Sequence, residues 1–170
     1  MVLIGGWTLG AARQPASYDS ARDTISALAA RGADDRWIMT LGLALLGVCH
    51  LATAAGLTSA TAASRILLAV GGAATVAVAA QPQPSPGHVP AAAVGFVALA
   101  LWPALSVVPS LRAGLGATVV LVALLAWLLV ELQGGGSLLG VAERAVAGGQ
   151  ALWPLLAVVM LLARHGARRA

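Results

Sequence analysis

The chain has no lysine, one cysteine, one tyrosine and one phenylalanine, and charged residues fill only 9 % of its 170 positions. A soluble domain usually carries about 25 % charge. With 59 % apolar residues and a mean hydropathy of +0.90, no fold of this length hides its apolar surface from water. The bilayer is therefore the expected solvent. The lone cysteine, Cys49, excludes an intramolecular disulfide and says nothing about redox compartment. The pI near 11.1 reflects ten arginines and no lysine, with arginine at the ends of apolar runs and in a short tail. Membrane orientation and lipid headgroups explain that pattern, and nucleic acid is not an expected partner.

Other absences narrow the function. No His/Cys/carboxylate spacing of the zinc type occurs, so no metal or other cofactor is expected. No Gly-x-Ser-x-Gly elbow is present. No inverted repeat or pair of broken helices with mid-membrane charge marks a transporter.

What is present is hydrocarbon in blocks. The runs Trp37–Leu57, Ser64–Ala80, Ala91–Val108, Leu115–Leu132 and Ala145–Ala163 are long enough, or nearly so, to cross a bilayer. In lipid they must be helices, because every backbone group has to be paired internally. A further run, Met1–Ala12, reaches only about 18 Å of a core about 30 Å thick. It lacks the basic n-region of a signal peptide. It is read as a shortened first span, the alternative being a true half-span packed among the others. The expected fold is all-α, a polytopic bundle of about six spans forming one membrane domain over residues 1–170. Small residues at Gly6 and Gly10 and at Gly71-Gly72-Ala73-Ala74 favour close helix packing.

Half of the charge lies in one place. Eight of the sixteen charged residues fall between Arg13 and Arg36. Six spans put this island on one side with the connections near 81–90 and 133–144, a side holding five Arg, four Asp and two Glu. The other side holds Arg65, Arg112, Arg164, Arg168 and Arg169 without acids. The Arg counts tie, but the unpaired arginines favour the second side as cytoplasmic. Both termini are then inside and the island outside. Within it, Asp19 or Ser20 can cap a short amphipathic helix, with Asp23 completing a capping box and Gly32 ending it. Ala21, Ile25, Leu28 and Ala29 form its apolar face.

Several motifs carry a resemblance. They are Gly6-Trp7, Tyr18-Asp19, Arg22-Asp23-Thr24-Ile25-Ser26-Ala27-Leu28 and Arg36-Trp37. They continue through Ala54-Ala55-Gly56-Leu57, Gln81-Pro82 with His88, Ala100-Leu101-Trp102-Pro103, Glu131-Leu132-Gln133, Ala142-Glu143-Arg144 and Ala151-Leu152-Trp153-Pro154. In this order they resemble the actinobacterial branch of domain-of-unknown-function family 998, along essentially the whole chain. The resemblance implies a six-span membrane protein without a settled activity. The family is distantly similar to the Frag, DRAM and Sfk group, which carries an Ile-Ser motif after its first span. Some members of that group are linked to lipid remodelling or autophagy. The first span is shorter here than in the family.

Function is expected at the outer mouth. Trp7, Trp37, Trp127 and Trp153 are placed towards it and Trp102 towards the inside. An aromatic belt explains tryptophans at interfaces, but belts line both faces. Glu131, one turn after Trp127, anchors the interface or faces the island with Arg22 or Arg36 as counter-ion. Pro154 frees the Gln150 carbonyl. His50 lies mid-membrane, where it serves function or bonds a neighbouring helix. The expected ligand-binding set is Asp19, Arg22, Asp23, Ser26, Arg36, Trp37, His88, Trp127, Glu131, Gln150 and Trp153. Membrane lipids are the expected partners, with Arg22, Arg36, Asp23 and Glu131 on the headgroup and Trp127 and Trp153 on the chains. The bacterial plasma membrane is the expected location. The alternatives are a lipid-remodelling enzyme using external carboxylates or His88, and a small-molecule transporter. A Ser26–His88–Asp23 hydrolase rests on sidedness alone.

Overall fold

The computed structural model describes residues 2–108 and 110–167, with side chains as far as residue 163. The side chains of Arg164, Arg168 and Arg169 lie outside the described residues. Among the described residues there are six α-helices and no strand. They are α1 (Val2–Ala11), α2 (Trp37–Gly56), α3 (Ala62–Ala80), α4 (His88–Leu101), α5 (Leu111–Gly134) and α6 (Leu139–Ala167). A 3-10 stretch, Trp102–Leu105, prolongs α4. By length and composition α2, α3, α4 with its extension, α5 and α6 can each cross a membrane. Helix α1, at ten residues, covers about 15 Å and packs its buried Leu3 into the bundle.

Local chemistry sets the boundaries. Thr61 accepts from the Ser64 N–H at the start of α3, and Ser110 from the Ala113 N–H at the start of α5. Gly135, at φ +61°, ends α5. Pro103 cannot donate a helical hydrogen bond, and there α4 tightens to 3-10 form. The most extensive helix–helix contact among the described residues is between α2 and α3. A Cβ on Gly72 would lie 2.8 Å from the Gly47 carbonyl oxygen, so the contact needs glycine there. Helix α5 packs on α6 and on Trp102–Leu105. Only 17 % of its best span is buried within the protein, so hydrocarbon solvates most of it.

The two ends of the bundle differ. At one end the island meets the 81–87 connection, where Arg31 N–H donates to the Gln83 carbonyl at 2.9 Å. It also meets the start of α6. At the other end Thr61 Oγ1 donates to the Leu105 carbonyl and Ser64 Oγ to the Trp102 carbonyl.

The island is not an α-helix. It consists of turns and one 3-10 helix, Ala27–Ala29, with Gly32 at φ +100°. The expected apolar face still points inward: Ile25, Leu28 and Ala29 are buried. The helix is missing because its backbone groups are used elsewhere. The Ala21 carbonyl accepts from Gly140 and Val141 N–H, and the Ser20 and Asp23 carbonyls accept from Arg144. The Ile25 N–H donates to Glu143. In a helix those carbonyls would have accepted from residues four positions on.

Candidate functional site

Helix α6 starts at Leu139, six residues before the apolar run that announced it. Its extra turns carry Glu143 and Arg144, two charges that an isolated span would exclude. The island supplies their partners. Glu143 is 5 % exposed and accepts from Ser26 Oγ at 2.8 Å and from the Ile25 N–H. Arg144 turns the other way. Its Nη1 reaches the carbonyls of Ser20, Asp23 and Gly140 at 2.8–2.9 Å, and its Nη2 the Tyr18 hydroxyl at 2.6 Å. Burial raises the Tyr18 phenol above its ordinary 10.0, against the opposing pull of the Arg144 guanidinium. Gly140 permits the contact, since a Cβ there would sit 2.4 Å from the Asp23 carbonyl oxygen. The island is thus a cap, bolted to α6 by one acid and one base.

Beneath the cap lies a cavity of about 50 Å³. Ser26 and Glu143 line it on the side of the cap. Leu3, Leu43, Leu46, Val78, Phe96 and Leu99 are among its walls, and Thr75 and Gln150 add two further polar groups. Gln150 Nε2 donates to the Phe96 carbonyl at 2.8 Å and ties α6 to α4. His50 is buried beside the Gln150 backbone.

Of the expected site residues, Ser26 and Gln150 line this cavity. The others are placed differently. Asp19 pairs with the exposed Arg22 at 3.7 Å and holds the Ala21 N–H, and Asp23 accepts from the Asp19 N–H. Arg36 Nε donates to the Ala29 carbonyl, and the exposed Trp37 donates to Asp35. His88 is buried, with Nδ1 2.8 Å from the Gln81 carbonyl oxygen, so Ser26, His88 and Asp23 form no relay. Glu131 accepts from Trp127 Nε1 and from the Leu138 N–H, and neither Arg22 nor Arg36 is its counter-ion. Trp153 is not at the mouth. It packs with Trp102, Leu68 and Ala157 in the half of the bundle away from the island. The early start of α6 puts it about 21 Å down the helix. Glu143 and Arg144 were absent from the expected set. Their signal was two adjacent opposite charges just ahead of an apolar run.

The model of the family described as "Protein of unknown function (DUF998)" matches residues 1–160. The chain belongs to this family. The DUF998 match spans both halves of the cap contact, from Ser26 to Arg144. No curated protein and no solved structure matches the chain. Among the described residues of this DUF998 protein, no group of three His, Cys, Asp or Glu side chains is placed to hold a metal ion.

Proposed function

We propose that this DUF998 protein binds membrane lipid, with the island as a cap over the place where part of the lipid enters. In this reading it resides in the bacterial plasma membrane, with the cap outside and both termini in the cytoplasm. The observation that carries it is the cavity: mostly hydrocarbon walls with the polar side chains of Ser26, Thr75, Glu143 and Gln150 set among them, amphipathic as a lipid is. Its volume exceeds the roughly 10–15 Å³ needed for one water, but falls far short of a whole lipid. The bound molecule therefore places one group under the cap and leaves its chains in the bilayer.

The test is lipid extraction from gently purified protein, followed by mass spectrometry. Wild type retains a lipid class that Ala92→Phe, which fills the cavity, loses. Equal lipid content in the two proteins would sink the proposal. One observation favours an enzyme instead: the Ser26 hydroxyl donates to a buried carboxylate that lines the cavity, a nucleophile-and-base pairing. On that reading Ser26→Ala alters the lipid profile of cells while the purified variant still retains lipid. On the binding reading the profile stays as in wild type.

A further inference from the structure

At the end of the bundle away from the island, α2 and α3 border an open groove of about 390 Å³. We infer that this groove holds one anionic phospholipid, with its phosphate on Arg65 and an acyl chain along Leu51, Ala55, Ile66 and Ala69. The mouth is built for an anion. Arg65 is half-buried and spends Nε and Nη2 on the last carbonyls of α2, Ala54 at 2.7 Å and Ala55 at 3.0 Å. Those bonds fix the guanidinium at the helix ends, and its Nη1 has no hydrogen-bond partner among the described residues. Ala62, at the first helical position of α3, lies beside it. Thr61 satisfies the Ser64 N–H, and the positive end of the α3 dipole points to the same place.

No acidic side chain of the described residues competes there. Every acidic residue of the chain lies in the island or near the adjoining ends of α5 and α6, at the far side of the bundle. Below the mouth the groove is apolar: Ile66 is 63 % and Leu51 37 % exposed. From Ala62 to Ala69 it runs about 10 Å, enough for the upper methylenes of one chain. A soluble anion would leave that wall bare, and a neutral zwitterionic lipid would gain less from the cation.

The experiment is native mass spectrometry of the full chain in detergent, titrated with phosphatidylglycerol or phosphatidylcholine. Wild type should retain phosphatidylglycerol about fivefold better, the worth of one basic side chain near anionic lipid. Arg65→Gln should abolish the preference, and Arg112→Gln, the same charge change at the same end outside the groove, should keep it. Because Arg65 also bonds α2, Ala62→Glu is the decisive variant. A carboxylate at the first turn favours the helix and repels phosphate, so loss of preference at an unchanged melting temperature reports the charge and not unfolding. The inference is overturned if wild type shows no preference, if Ala62→Glu keeps it, or if Arg112→Gln removes it as fully as Arg65→Gln. Displacement of the lipid by glycerol 3-phosphate at equal concentration would likewise overturn it.

Discussion

Glu143 and Glu131 are both carboxylates near the end of an apolar run, yet their positions in the fold have little in common. Glu131 closes a local turn, bonding a tryptophan one turn back and the Leu138 amide. Glu143 is buried and meets a segment 117 residues earlier. Nothing in the flanking sequence separates the two cases. What separates them is the backbone each one faces, and that backbone belongs to a distant segment. Glu143→Ala removes both acceptors and leaves the Ile25 N–H buried without a partner, at a cost of about 1–3 kcal/mol. Amide hydrogen exchange at Ile25 is expected to quicken at least tenfold, with α3 unchanged; equal protection in both proteins would show that the cap does not depend on Glu143. Gly140→Ala should loosen the same contact by crowding, because its methyl group meets the Asp23 carbonyl oxygen.

At the scale of elements, the five long helices were legible in hydropathy because lipid permits one backbone solution for such runs. Their ends were less legible. The α6 boundary moved by six residues because the island satisfies Glu143 and Arg144, which composition alone counts as breakers. The island helix failed for the reciprocal reason. Its capping residues and apolar spacing were correct locally, but tertiary donors took the carbonyls a helix needs. Tyr18 offers a direct probe, being the only tyrosine. Its raised pKa means that the folded state favours the neutral phenol. Its contribution is complete below pH 10.0 and is lost as pH rises through the folded value. A spectrophotometric titration should place the folded midpoint above 10.0 and the denatured one near it; coincident midpoints would contradict the docked position. For the α2–α3 pair, Gly72→Ala is expected to lower the melting temperature by several degrees. Gly116→Ala, where a Cβ meets nothing within 4 Å, should leave it unchanged or raise it.

For the whole molecule, the segregation of charge anticipated which connections share an end, and the hydrogen bonds of Arg31 and Gly140 bring those connections together. Which end faces out is set by insertion and not by packing. In a Cys49→Ala background, Ser17→Cys is expected to react with an impermeant thiol reagent in whole cells and Ser59→Cys is not; the opposite pattern would invert the proposed orientation. The cavity was not legible at all. Its lining comes from α1, the island, α2, α3, α4 and α6, a convergence that no single stretch of sequence encodes.

The bond between the island and α6 also orders the assembly in time. The cap is synthesised before any of the five long helices, and the helix it holds is made last. Until α6 arrives, the carbonyls of Ser20 and Ala21 lack the donors it brings and the Asp23 carbonyl has the Tyr18 hydroxyl alone, and when it arrives Glu143 needs the cap already in place to enter a buried position. A chain stopped at Leu138 should therefore expose its island to a protease that cuts at Arg22 and Arg31, whereas the full chain should resist. The sixth helix is the latch for a segment made before the second.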